Sequence, residues 1–305
     1  MQRYQQVLIP DWLGNSIKNG VQKGPKALTK AIQESNIKVK NKLLKEYFAD
    51  NSVEVIVPEP NPNHAIGEYA QAKYWPEIKQ ICLETKKDII AVLDNGKVPV
   101  VLMGDDSSLI GVLSGIAKKY GNDYGLIYFD AHGDIHIPGT SPSGRLFGMP
   151  LSHLLGFGIP ELVELNGKEP SLKGGNIVML GTRSVEEAEP KFFRQYGVKV
   201  YAPNYVNGNP SEKIFEEIKR RLYGKKLKNA FIHVDLDVFD PEESKGVWTA
   251  EPNGVKTEKA AEIISKLVKE FNCIGLCVSE YNPDLDQHGK TKKIALEVIR
   301  AFIGQ

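Results

Sequence analysis

The chain has 305 residues, of which 41% are hydrophobic and 25% charged, and a formal net charge of +1. These are the proportions of an ordinary globular protein, long enough to bury a large core without disulfides or a structural metal. The near-neutral charge gives no electrostatic case for nucleic acid or an anionic membrane as a partner, and Cys82, Cys273 and Cys277 are too few and too scattered for a disulfide framework.

The first residues lack the charged-then-apolar layout of a signal peptide, and no apolar run approaches membrane-spanning length, so a reducing cytoplasm is the expected compartment. Short apolar runs at 6–9 and 53–57 read as strands, followed by a long stretch of helical spacing over 66–93. The run 98–103 is a strand and 109–119 a helix; 125–129 and 177–181 are strands, and 186–196 is a helix. Then come strand 198–201, helix 212–222, strand 230–234, helix 258–271, strand 274–278 and helix 291–303. The strands are continuously apolar instead of alternating, as in parallel sheets covered on both faces. Cys273 and Cys277 fall inside the last of them, where burial explains them better than redox or metal chemistry. Strand–helix alternation implies right-handed crossovers and an open, mostly parallel sheet with helices on both faces. No repeat or linker divides the chain, so residues 1–305 are expected to form one α/β domain.

In such a sheet ligands bind beyond the carboxyl ends of the strands. Four of those ends are acidic. Asp105 and Asp106 follow 98–103; Asp130, His132 and Asp134 follow 125–129. Asp235 and Asp237 follow 230–234, and Glu280 follows 274–278. At an extended strand end, residues two apart project to one side, so Asp130, His132 and Asp134 can converge without help from another segment. Carboxylates crowded together repel one another and resist ionising. Together with an imidazole they are better explained as ligands for Mn²⁺, Mg²⁺ or Zn²⁺ than as a set of helix caps.

These segments resemble the arginase/agmatinase (ureohydrolase) superfamily along nearly the whole chain. GVQKGPKAL at 20–28 resembles that family's GVxxGPxxL, MGDDS at 103–107 its GGDHS, and DAHGD at 130–134 its DAHxD. HVDLDVFDP at 233–241 resembles SxDxDxxDP, and SEYNP at 279–283 resembles the MEVNP-type segment. The resemblance implies a three-layer α/β/α fold with a sheet of about eight strands, assembled as a homo-oligomer of three or six chains. It also implies two Mn²⁺ ions per chain, roughly 3.5–4 Å apart, with other divalent ions possible. One ion would be held by Asp106, Asp130, Asp134 and Asp235, and the other by His132, Asp130, Asp235 and Asp237. A hydroxide bridging the metals would attack the carbon of a guanidino or amidino substrate. Asp134 would orient the hydroxide and accept its proton, and Glu280 would fix the guanidinium over it.

Two positions depart from the family's pattern. Asp106 stands where GGDHS has a histidine ligand, and Phe147, in SGRLFG at 143–148, stands where SGNLHG has a proton-shuttling histidine. Asp106 is expected to ligate, the alternative being a vestigial residue beside a weakened metal position. The implied set of Asp106, Asp130, Asp134, Asp235 and Asp237 carries five negative charges against four positive ones, which makes the metals weaker Lewis acids. The loop from His132 to Pro150 aligns with the arginase loop that grips the substrate's amino-acid end. Ser143 matches its serine, while His136 replaces an asparagine. In GTRSVEE at 181–187, Glu186 matches the acid that contacts the α-amine. An arginine-like substrate is therefore expected, with His136, Ser143, Glu186 and Glu280 binding it, although His136 reads equally as a loop histidine bonded to backbone. His233 replaces the family's serine, either buttressing a ligand or as a hydrogen-bonded interior histidine. His64, His153 and His288 are expected at the surface or in caps, with no role. Two alternatives stand beside the hydrolase: a family member acting on formiminoglutamate or a modified arginine, and a metal-poor, non-catalytic binding protein.

Overall fold

Eight of the apolar runs become strands of one sheet in which every pairing is parallel. The computed structural model describes residues 3–61 and 69–304. In chain order its strands are β1 (Tyr4–Ile9), β2 (Lys38–Val39), β3 (Lys42–Leu43), β4 (Val53–Glu54), β5 (Val98–Met103), β6 (Tyr124–Phe129), β7 (Ile177–Leu180), β8 (Lys199–Tyr201), β9 (Asn229–Asp235) and β10 (Asn272–Ser279). The helices are α1 (Gly24–Glu34), α2 (Trp75–Asp94), α3 (Leu109–Tyr120), α4 (Pro150–Leu154), α5 (Pro160–Val163), α6 (Glu189–Tyr196), α7 (Pro203–Gly208), α8 (Ser211–Gly224), α9 (Thr257–Glu270) and α10 (Lys290–Ile303). Among the described residues no helix is long and apolar enough to cross a membrane.

Successive strand residues feed opposite cores, which produces three layers. Val100, Leu102, Ile127, Phe129, Ile232 and Val234 pack with residues of α1, α8, α9 and α10. Val101, Met103, Leu126, Tyr128, Phe231 and Cys277 pack on the other side with α2 and α3. All three cysteines are buried and unpaired.

Three expected elements differ in extent. Residues 66–68 of the long helix lie outside the described residues, and α2 starts only at Trp75, where Pro76 occupies the first turn and pre-sets the helical φ. The helix expected over 186–196 begins at Glu189, again just before a proline, and Glu189 accepts a hydrogen bond from the Glu186 amide at 2.9 Å. The run 53–57 pairs for only two residues. The sequence reading did not pick out α1, which buries only Leu28 and Ile32 beyond its opening Gly24-Pro25, or the short β2–β3 hairpin.

The strand order β4-β1-β5-β10-β9-β6-β7-β8 is what builds the site. It brings the four acid-ended strands, β5, β10, β9 and β6, side by side at the sheet's centre. Leu102, Val278, Val234 and Phe129 are register partners across them, so the acidic residues that follow emerge at one level.

Candidate metal centre

Asp105 and Asp106, adjacent in sequence, do different things. Asp105 faces inward as a cap. Its carboxylate accepts from the Ser107 amide at 2.9 Å and from the Asn15 amide at 3.1 Å, tying the loop after β1 to the end of β5. Asp11, equally buried, accepts from the Leu13 amide and from the Ser107 and Ser108 hydroxyls. Gly104 allows this close approach, since a Cβ there would lie 1.9 Å from the Asp11 carbonyl oxygen. Asp106 is left to point along the rim, 1% exposed, with Oδ1 unpartnered.

Asp130 follows β6, and its Oδ1 accepts from the His132 amide at 2.6 Å. His132 Nδ1 lies 2.9 Å from Asp237 Oδ2 and 3.6 Å from Asp130 Oδ1. Asp237 also accepts from the Thr249 hydroxyl at 2.8 Å and the Ala131 amide at 3.2 Å. Asp235 caps the turn after β9, its Oδ1 accepting from the Asp237 amide at 2.7 Å. Asp134 Oδ2 accepts from the Tyr128 hydroxyl at 2.6 Å. Glu280 is held at Oε2 by the Asn15 side-chain amide at 3.5 Å, and its Oε1 is unpartnered. Asp134 (φ 52°) and Glu280 (φ 60°) both adopt the left-handed backbone region, which costs a residue with a side chain about 1–2 kcal/mol each. The fold thus holds strain at two of the residues it aims into the site.

The electrostatics are those of anions packed in a dry interior. Burial, and after it the repulsion of Asp237, pushes Asp130 up to about 6. Burial likewise holds Asp134, Asp235 and Glu280 well above the ordinary carboxylate range, with neighbouring carboxylates adding to it. At Asp237 burial also acts upward, but the His132 charge and the donated hydrogen bonds outweigh it and leave the carboxylate below its usual range. At His132 burial acts downward and loses to Asp237 and Asp130, which push the imidazole up to about 12.

Of the side chains named from the sequence, Asp106, Asp130, His132 and Asp237 fall in groups of converging ligand atoms, whereas Asp134, Asp235 and Glu280 lie near enough for charge repulsion but belong to neither group. Two groups of ligand atoms each lie within 4.8 Å of one another: Asp106, Asp130 and His233, and Asp130, His132 and Asp237. Asp130 belongs to both. Its Oδ2, Asp106 Oδ1, Glu280 Oε1 and both ring nitrogens of His233 have no hydrogen-bond partner. Acceptors stranded in this way, among carboxylates that burial disfavours as anions, fit divalent cations.

A cavity of about 280 Å³ opens beside the rim, with His132 and Asp134 shared between cavity and rim. It also holds His136, Ser143, Glu186 and Phe147. His136 Nδ1 meets the Thr140 hydroxyl at 3.1 Å, while Nε2 lies 2.7 Å from a Glu186 carboxylate oxygen without the geometry of a hydrogen bond, so this histidine bonds a side chain and faces a carboxylate. Ser143 is exposed, its hydroxyl accepting from the Arg145 amide at 3.2 Å. Wider clefts of about 800 and 650 Å³ lie at the β8 edge and beside Asp240–Pro241, away from the converging carboxylates.

Several contributors were not anticipated from sequence. Glu189, buried, seats its carboxylate where a Cβ on Gly133 would fall 2.3 Å away. Arg145 lines the cavity with its Nε unpartnered, and Glu251 lies 3.8 Å from His132 Nε2. Arg183 donates to the backbone carbonyls of Gly181, Asp237, Val238, Glu251 and Pro252, stapling the loop after β7 to the metal-facing loop after β9. The only signal for it was its place in the GTRSVEE segment. Of the histidines given no role, His288 is exposed and His64 lies outside the described residues. His153 corrects the expectation of a surface position. It is 1% exposed, with Nδ1 2.8 Å from the Met149 carbonyl and Nε2 accepting from the Ile159 amide at 3.0 Å, so both nitrogens are satisfied internally.

Known proteins resemble this chain along most of its length. A family model described as "Arginase family" matches residues 7–304. The chain is 36% identical over 219 residues to the arginase of Bacillus caldovelox, covering 70% of this chain and 71% of that one. It is 30% identical over 288 residues to the arginase of Staphylococcus aureus strain COL, covering 94% and 93%. The solved native structure of the Bacillus caldovelox arginase at pH 5.6 matches with a TM-score of 0.89 at 29% identity, covering 100% of this chain and 99% of that one.

Proposed function

Since the chain belongs to the arginase family of hydrolases, we propose that it acts as one metallohydrolase domain cleaving a C–N bond of a guanidino or amidino compound, with an arginine-like substrate favoured. The observation that carries this reading is the set of buried, partnerless acceptors on Asp106, Asp130 and Glu280, crowded together with carboxylates that burial and mutual repulsion hold up. Asp106, Asp130, His132, Asp134, Asp235 and Asp237 would hold two divalent cations, with Mn²⁺ preferred because the donors are mostly oxygen. Cations held there supply Lewis acidity and make water acidic enough to be a nucleophile near neutral pH.

The chain's own groups do the rest. Tyr128 fixes Asp134 through Oδ2, leaving Oδ1 to take a proton from the attacking water. Glu280 offers its free Oε1 to a guanidinium N–H and holds the carbon in place. Ser143 and Arg145 at the cavity would receive a carboxylate, and Glu186 an ammonium, which is the pattern an amino-acid substrate requires. Phe147 lines the same cavity and can neither give nor take a proton. That observation favours a second reading, in which the substrate is another amidine, such as formiminoglutamate or a modified arginine, whose leaving group needs no acid at this position.

The test is a screen of Mn²⁺-loaded protein against arginine, agmatine and other guanidino and amidino compounds, reading urea, formamide and amine. Release of urea and an amine from an arginine-like compound is expected. No turnover of any of them by protein carrying two equivalents of metal would overturn the proposal.

A further inference from the structure

His233 lies on β9 two residues before Asp235, on the face that also carries Phe231 and packs toward Tyr128 and α3. Its side chain is fully buried, and neither ring nitrogen has a hydrogen-bond partner. His153 is the internal control, since the same side chain, buried to the same degree, has a partner on each nitrogen. An interior imidazole kept only for packing would be expected to resemble His153, because a buried polar atom without a partner is costly.

The ring of His233 is also fixed in direction. It stacks on Tyr128 with centroids 4.3 Å apart and planes 20° from parallel, while Tyr128 is itself held by Asp134. In that orientation Nε2 lies 3.3 Å from Asp106 Oδ1 without the geometry of a hydrogen bond. Asp106 Oδ1 and Asp130 Oδ2 are unpartnered as well. Two carboxylate oxygens and one imidazole nitrogen thus converge, and a single proton shared between two of them would leave the third stranded. A cation satisfies all three. The group Asp106, Asp130 and His233 also repeats the composition of Asp237, Asp130 and His132, with Asp130 shared.

We infer that His233 is a metal ligand, supplying the nitrogen donor of the cation position formed with Asp106 and Asp130. This rests on the metal-centre reading above. It implies that each position has one imidazole: His132 from the loop after β6 at one, His233 from within β9 at the other. The negative charge of Asp106 is then accompanied by a neutral nitrogen donor, and the two positions are more alike than the sequence suggests.

The experiment compares the full-length protein with His233→Gln and His233→Ala. Mn²⁺ stoichiometry and affinity are measured by calorimetry, and melting temperature is measured with metal removed. ¹⁵N-histidine-labelled protein loaded with ¹¹³Cd²⁺ is read for ¹¹³Cd–¹⁵N couplings. The wild type should take two equivalents and show couplings to two histidines. Both variants should keep one Mn²⁺ site within about twofold and weaken the other at least about 100-fold, more than is typical for loss of an outer-shell partner. The metal-free melting temperature of His233→Gln should fall no further than loss of the Tyr128 stack explains, because neither ring nitrogen has a hydrogen bond to lose, whereas His233→Ala, which also opens a cavity, should melt lower. A wild type that binds two equivalents, with a coupling from only one histidine and both variants unaltered in affinity, would overturn the inference and leave the metal centre standing. A wild type that binds fewer than two would overturn both. Loss of metal-free stability in His233→Gln with metal binding intact would mark a structural histidine and also overturn it.

Discussion

Loading this centre should expel protons, in a number fixed by groups already described. His132 is pushed up to about 12 by Asp237 and Asp130, so it is a cation near pH 8 and must lose its proton to ligate through nitrogen. That is one proton per chain across the neutral range, and affinity rises about tenfold per pH unit, or about 1.4 kcal/mol. Asp130, at about 6, is half protonated at that pH and adds about half a proton there. Between about pH 8 and pH 6 these two groups together weaken Mn²⁺ binding roughly 200-fold: about 100-fold from His132 and about twofold from Asp130. Asp134, Asp235 and Glu280, all raised by burial, can only steepen this. The sign follows directly: bound protons compete with metal, so affinity is lost as pH falls. Calorimetric titration with Mn²⁺ in buffers of different ionisation enthalpy counts the protons. The expected result is at least one near pH 8 and at least about 1.5 near pH 6, with about one fewer in His132→Gln. Release of fewer than half a proton near pH 8, or an affinity constant within threefold across this range, would show that His132 is not a protonated ligand in waiting.

Three further outcomes are expected. Because Asp130 belongs to both ligand groups and Asp106 to one, Asp130→Asn should lose close to two equivalents of metal and Asp106→Asn no more than one, by elemental analysis after Mn²⁺ loading and desalting. Arg183→Met strips charged donors from carbonyls on the loops after β7 and β9 and should lower stability by about 2–4 kcal/mol in urea unfolding, with weakened metal retention because Asp237 loses its brace. Burial holds His153 down at about 4 against an ordinary 6.5, so the stability it contributes is complete above pH 6.5 and is lost as pH falls through 4. That amounts to about 3 kcal/mol, and His153→Gln should flatten this acid limb in urea midpoints measured from about pH 7 to pH 4.

The sequence alone determined the strands and the chemistry of their ends. Strands buried on both faces are continuously apolar, so β1, β5, β6, β9 and β10 were legible as runs, and residues two apart at a strand end share a direction, which marked Asp130, His132 and Asp134. The acidic strand ends also marked Asp106, Asp235, Asp237 and Glu280, and the family motifs supplied the roles expected of them. The tertiary structure decided what depends on residues far apart in the chain. Nothing local states that β10 and β9 insert between β5 and β6, yet that order is what turns four acidic strand ends into one rim. Asp105 and Asp106 are indistinguishable as letters; one is turned inward by the amides of Asn15 and Ser107, the other is left facing the rim. Glu189 and Arg183 act through partners from separate segments, and α2 and α6 start where Pro76 and Pro190 allow. His153 and His233 carry the same side chain in the same degree of burial. Only the surrounding fold gives the first a partner on each nitrogen and leaves the second with none, because hydrogen-bond satisfaction is a property of the assembled neighbourhood and periodicity carries no record of it.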